Sequence, residues 1–344
     1  MPSTSPAAPR RDASARVTGA LGLILPTFPQ DGTLPGADRL AALCRGAEGA
    51  GAGALWACDH LFWHGPCLEA LAALGVAVAA TRHAAVGTCV LQLPLRRPAA
   101  VAKQAASLDH LARGRLVLGV GAGSHPGEYA AAGVDFATRG RRLDAGIDEL
   151  RGAWGRPRPA YPQLPGAGSI PVWIGGSSEG ALRRAARRGD GWIPLFLPPE
   201  DYAPAMDRLD KETDRAGRDP AAVARATVVF ASMGGADPGE RGLAWMGSLY
   251  GLAPSSFARH LVAGDARHCA GAVARFVEAG AQHVAVFVTA DDPLAQFEDL
   301  AGACAERLAL RAADAAASWG SVSDALGTPM LRDERGDSVR ARTL

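Results

Sequence analysis

The chain has 344 residues, 48% of them hydrophobic and 21% charged, a composition that supports a large buried core and excludes a disordered polymer. Its 36 Lys and Arg stand against 35 Asp and Glu, so no net field is available to hold a nucleic-acid backbone or an anionic membrane surface. The six cysteines form no Cys-x-x-Cys pair, which points to free thiols and a reducing, cytoplasmic setting rather than a disulfide scaffold.

In chain order, residues 1–18 read as a loose tail, with Arg10-Arg11 among Pro, Ser and Ala and no apolar core long enough for a signal segment. Apolar β-type runs then alternate with alanine-rich helical patterns, the order that gives a parallel sheet with helices outside it. The expected strands are Ala20–Leu25, Ala54–Ala57, Ala84–Leu91, Leu116–Val120, Val172–Ile174, Trp192–Leu195, Thr227–Ala231 and His283–Val288. Helical patterns cover Asp38–Gly51, Ala99–Ala112, Arg139–Trp154, Glu179–Arg188, Pro204–Ala216, Cys269–Ala279 and Leu294–Leu308. The apolar stretch Ala70–Ala80 falls far short of the ~20 residues a membrane span needs. Eight β/α units, with no Gly-x-Gly-x-x-Gly after the first strand, predict an α/β fold of the closed (β/α)8 TIM-barrel type over residues 19–310. Residues 234–267 carry Trp245, Met246, Leu249, Tyr250 and Phe257 among glycines, the composition of a small helical insertion over the barrel mouth. Residues 311–344 lose periodicity and read as a second tail.

A barrel of this kind builds its site at the carboxyl ends of the strands, so the residues just after each apolar run matter most. The second strand ends in Trp56-Ala57-Cys58-Asp59-His60, a carboxylate and an imidazole at the rim. The fourth runs into Gly119-Val120-Gly121-Ala122-Gly123-Ser124-His125, followed by Glu128 and Tyr129. The fifth runs into Gly175-Gly176-Ser177-Ser178 and at once opens a helix, where free N–H groups and the helix dipole can hold a phosphate. That turn also reads as a plain strand-to-helix connection with Ser178 as N-cap, and His60 alone as a hydrogen-bonded structural histidine. His60 and His64 are four apart but sit beyond a strand, not on a helix, so no metal site is expected. Lys103 and Lys211, the only lysines, both fall in helical patterns, which argues against Schiff-base aldolase chemistry.

At these residues the chain resembles the luciferase-like flavin and deazaflavin oxidoreductases, and within them the branch that uses the deazaflavin coenzyme F420. The resemblance runs from about Leu21 to Leu308. It is carried by Arg115-Leu116-Val117-Leu118-Gly119-Val120-Gly121-Ala122-Gly123, Glu128-Tyr129-Ala130, Arg139-Gly140-Arg141-Arg142-Leu143-Asp144, and Pro171 through Ser178 to Gly189-Asp190-Gly191-Trp192. It implies a cofactor across the barrel mouth with its phosphate on Gly175, Gly176 and Ser177. It also implies a bulge at Gly87-Thr88-Cys89-Val90, with a non-prolyl cis peptide at Cys89–Val90 behind the ring. Asp59, Thr88, Cys89, Val90, Gly121, Gly123 and Ser124 are then expected at the cofactor, and Trp63, Trp245 and Tyr250 at the substrate. By the same likeness His60 exchanges the proton and Glu128 pairs with the ring or the developing charge. No lysine and arginine set for a sugar phosphate is recognisable.

The reading is therefore an F420-dependent oxidoreductase moving a hydride to or from a small organic molecule, by reducing an activated C=C or C=N bond or oxidising an alcohol. The alternative in the same fold is an FMN-dependent luciferase-like monooxygenase. A third reading, a barrel that binds without catalysis, predicts no acid–base pair. The family likeness also implies a homodimer.

Overall fold

The computed structural model describes residues 21–29, 33–155, 170–289 and 292–307, with backbone alone at 331–332 and 338–339. In chain order the strands are β1 (Leu21–Ile24), β2 (Ala54–Ala57), β3 (Ala85–Thr88), β4 (Leu91–Gln92), β5 (Leu116–Gly121), β6 (Val172–Gly175), β7 (Gly191–Ile193), β8 (Ala224–Met233), β9 (Leu261–Gly264) and β10 (His283–Val288). The helices are α1 (Ala37–Gly49), α2 (Ala70–Ala80), α3 (Pro98–Leu111), α4 (Pro126–Ala131), α5 (Arg139–Gly155), α6 (Glu179–Arg188), α7 (Pro199–Arg215), α8 (Pro238–Tyr250) and α9 (Ala266–Glu278). A further helix, α10, covers residues 293–307. The sheet runs β10-β1-β2-β3-β5-β6-β7-β8, all parallel, and β10 pairs with both β1 and β8, which closes the expected TIM barrel.

Alternation along the strands divides the interior into two cores. Leu55, Val86, Leu116, Leu118, Val172 and Val286 face outward onto the helices. Trp56, Val117, Trp173, Phe230 and Phe287 face inward and fill the barrel. The Trp56 and Trp173 rings lie 5.3 Å apart there, so the barrel is a packed core and the open space is left to its mouth.

Three expectations are corrected, and one helix is added. The run Ala84–Leu91 is not one strand. It breaks after Thr88 at the cis Cys89–Val90 peptide and resumes as β4, which pairs with β5. Ala70–Ala80 is helix α2, buried against its neighbours by Ala70, Ala73, Leu74, Ala77 and Val78; its uniform alanine content hides the helical period. Helix α7 starts five residues before Pro204, because Pro199 at its first position followed by Glu200 and Asp201 is a helix opening. The segment 234–267 is not purely helical. After α8 it ends in β9, which pairs with Phe230–Met233 of β8, a strand that outruns the barrel and offers its edge. Of the expected tails, 1–18 lies outside the described residues, as does 311–344 apart from a short antiparallel pair, β11 (Leu331–Arg332) and β12 (Ser338–Val339). Among the described residues no helix is long and apolar enough to cross a membrane, and none of the six cysteines forms a disulfide.

Candidate active site

β2 and β5 deliver the polar part of the site. The loop after β2 carries Asp59 and His60, and α4, which follows β5, carries Glu128 in its first turn. Glu128 is fully buried. Its Oε2 lies 2.8 Å from His60 Nδ1, and its Oε1 accepts from the backbone N–H of Leu61 at 2.8 Å and of Phe62 at 3.1 Å. Burial works to raise the Glu128 carboxyl, but the bonds from His60, Gln92 and Phe62 outweigh it and hold the group below its ordinary value. An ionised carboxylate only accepts, so His60 Nδ1 carries the hydrogen and donates it. The other ring nitrogen, Nε2, makes no hydrogen bond among the described residues. With Nδ1 donating to Glu128, the one nitrogen left open is Nε2, the arrangement by which a carboxylate orients a catalytic histidine.

Gln92, on β4, ties this pair to Asp59. Its Nε2 lies 3.0 and 3.2 Å from the two Glu128 oxygens and 3.2 Å from the Asp59 carbonyl, while its backbone N–H donates to Asp59 Oδ2 at 3.0 Å. Arg96 Nη2 takes Asp59 Oδ1 at 2.6 Å, and its Nη1 reaches Glu69 at 3.1 Å. Burial pushes the Asp59 carboxyl up, with Arg96 and the Gln92 N–H pulling the other way. Asp59 is thus saturated inside the protein. Thr88 is also turned inward, its hydroxyl donating to the Gly119 carbonyl at 2.6 Å. Neither Gln92 nor Arg96 stood out in the sequence; the visible signal was only that Gln92 follows the expected bulge.

The bulge packs where three glycines leave room. A Cβ on Gly121 or Gly175 would come within 2.6 or 2.7 Å of the Val90 side chain, so Val90, Gly121 and Gly175 are brought together. Gly123 takes the Gln92 carboxamide in the same way. Cys89 lies beside Val90, and burial pushes its thiol up to about 12, leaving a neutral wall rather than a nucleophile. Ser124 is exposed, and the neighbouring His125 keeps a buried Nδ1 without a partner.

On the far side of the mouth β6 ends in the Gly175-Gly176-Ser177 turn. Gly176 adopts φ +100°, a conformation L side chains resist. Ser178 caps α6 through the Ala181 N–H at 3.2 Å, and Trp192 Nε1 fastens the Gly176 carbonyl from below at 2.9 Å. The backbone N–H groups of Gly176 and Ser177 have no partner among the described residues. With the α6 dipole behind them they form a cradle with the chemistry for a phosphate.

Aromatic side chains roof the site. Trp63 packs on His60 with ring centroids 3.8 Å apart and the planes tilted by 35°, and its Nε1 donates to the Leu249 carbonyl of α8 at 2.7 Å. Tyr250, at the end of α8, meets Trp63 at 5.9 Å and Phe257 at 5.2 Å, and Trp245 packs on Phe287 at 5.2 Å. The insertion therefore does lie over the barrel mouth. Among the described residues no group of three or more His, Cys, Asp or Glu is placed to hold a metal.

Residues 20–238 match the family model of luciferase-like monooxygenases, and the chain belongs to that family of oxidoreductases and monooxygenases. A Mycobacterium tuberculosis protein described as uncharacterized is 34% identical over 165 residues, covering 44% of this chain and 57% of that one. A phthiodiolone/phenolphthiodiolone dimycocerosates ketoreductase of the same species is 30% identical over 159 residues, 42% of each chain. The match thus spans about half the length of these curated relatives. In fold the chain is similar to an F420-dependent secondary alcohol dehydrogenase in complex with an F420-acetone adduct, with a TM-score of 0.71, 18% identity and coverage of 83% of this chain and 98% of that one. It is also similar to the oxygenating constituent of a Pseudomonas putida 3,6-diketocamphane monooxygenase in complex with FMN, with a TM-score of 0.62, 16% identity and coverage of 82% and 96%.

Proposed function

We propose that the protein is an F420-dependent oxidoreductase that interconverts a secondary alcohol and its ketone. The observation that carries this reading is His60, held through Nδ1 by the buried Glu128 carboxylate at 2.8 Å with Nε2 left open. An alcohol–carbonyl conversion needs one group that exchanges a proton with the substrate oxygen, and an oriented neutral imidazole does this near neutral pH. The ketoreductase among the relatives and the alcohol dehydrogenase among the similar folds support the same reaction class.

Gly175, Gly176 and Ser177 would hold the coenzyme phosphate, and the Cys89–Val90 bulge would back its ring. When bound, F420 supplies a two-electron acceptor or donor of hydride. His60 Nε2 takes the hydroxyl proton in oxidation and returns it to the oxygen in reduction. Glu128 stabilises the imidazolium formed when His60 is charged, without itself taking the proton. Trp63 and α8 cover the site and keep bulk water from the reacting pair.

The test is F420 reduction, followed by its absorbance, with a panel of secondary alcohols. The reading predicts turnover without oxygen. FMN-dependent monooxygenation is the second reading, supported by the likeness in fold to the FMN-bound oxygenating constituent of 3,6-diketocamphane monooxygenase; oxygen-dependent turnover with reduced FMN and none with F420 would establish it instead. The homodimer, which rests on the family likeness, and the cytoplasmic setting, which rests on the cysteine pattern, belong to the proposal.

A further inference from the structure

A cleft of about 280 Å³ opens beside Trp63, lined in part by Phe28, Trp63, Trp245 and Leu249. Two of these residues also touch the imidazole: Trp63 at 3.8 Å and Phe28 at 5.8 Å between ring centroids. The cleft and the imidazole therefore share the Trp63 and Phe28 rings as a common wall. Among the described residues its only lining side chains with polar atoms besides the tryptophans are His64 and Ser248, and no described Asp, Glu, Lys or Arg lines it. The Trp63 indole N–H is already spent on the Leu249 carbonyl, so that ring presents a fixed apolar face.

We infer that the substrate is an uncharged, largely apolar ketone or secondary alcohol whose hydrocarbon part lies in this cleft; this rests on the proposed reaction. A charged substituent packed against the Phe28, Trp63 and Trp245 rings would give up part of its hydration and find no counter-ion among the described lining residues, which is costly. An apolar chain meets the opposite balance, because each buried methylene is driven from water. An apolar cavity of about 150 Å³ takes a benzene ring, so the cleft has room for roughly ten to twelve non-hydrogen atoms. The exposed side chains of Phe62 and Leu252 flank Trp63 and Tyr250 in the chain and extend the apolar character outward at the rim.

The test is calorimetric titration of the full chain with methyl ketones from 2-butanone to 2-undecanone, and with 7-oxooctanoate, which ends its tail in a carboxylate, as the charged match for 2-octanone. The inference predicts that Kd falls about three- to fourfold per methylene and levels off near the longest ketones, with 7-oxooctanoate at least a hundredfold weaker than 2-octanone. Ser248 is exposed, so Ser248→Arg adds a cation to the cleft wall without touching the core; it should improve 7-oxooctanoate relative to 2-octanone by tenfold or more. A Kd independent of chain length, or an oxo acid that binds the unaltered protein as well as the ketone, would overturn the assignment. These titrations read the cleft without turnover. Length-dependent binding with no F420-coupled reaction would sink the proposed reaction and leave the cleft assignment standing.

Discussion

Over β2, β4 and β5 the barrel mouth carries Asp59, His60, Gln92 and Glu128 in one hydrogen-bonded group, whereas over β8, β10 and α8 it carries Phe230, Phe287, Trp245 and Tyr250, ring against ring. The polar side has direction: the bonds from His60, Gln92 and the Leu61 and Phe62 N–H groups converge on Glu128 and leave His60 Nε2 open. The aromatic side has shape but little direction, since ring contacts near 5 Å tolerate small shifts. Proton transfer needs the first property and enclosure of an apolar substrate needs the second. Damage to the polar side should therefore appear in turnover, and damage to the aromatic side in affinity.

The strongest break of that contrast is His60→Ala, which should lower kcat by about 10²–10⁴ while leaving coenzyme affinity unchanged; steady-state kinetics beside a coenzyme titration separate the two. Glu128→Gln should lower kcat by about 10², on the order of removing the group that orients a catalytic histidine. It also carries a pH signature. The Glu128 carboxyl lies below its ordinary 4.5 in the fold, so it stabilises the fold fully above the unfolded value and loses that contribution as pH falls through the folded one. The stability gap between wild type and Glu128→Gln, measured by urea unfolding, should accordingly be largest near neutral pH and narrow toward pH 3. Gln92→Leu should cost about tenfold in kcat and alter the pH–rate profile, because His60 loses a fixed neighbour at 3.1 Å; an unchanged profile would make Gln92 a packing residue only. Trp63→Phe tests the aromatic side: it removes the indole bond to Leu249 and should cost about 1 kcal/mol of stability and a few-fold in KM with kcat nearly intact.

Much of the barrel was legible because strands buried on both faces write continuous apolar runs, and seven of the eight lie close to where such runs occur. The phosphate-type turn was legible for a local reason, since Gly175-Gly176-Ser177-Ser178 ends a strand and opens a helix within four residues. What stayed hidden is long-range. Gln92 and Arg96 acquire meaning only when the break after Thr88 swings β4 against Asp59 and Glu128. β9 exists because β8 extends past the barrel and offers an edge, which four modest residues, Leu-Val-Ala-Gly, do not announce. His60 and Glu128 stood out by their place after the second and fourth strands and took their roles from the family likeness, while their 2.8 Å contact across 68 residues is a property of the fold alone.

The most direct measurement of the central claim is a parallel fluorescence titration of the protein with oxidised F420 and with FMN. The account predicts micromolar or tighter binding of F420 and much weaker binding of FMN. Selective binding of FMN, or of neither, would contradict it.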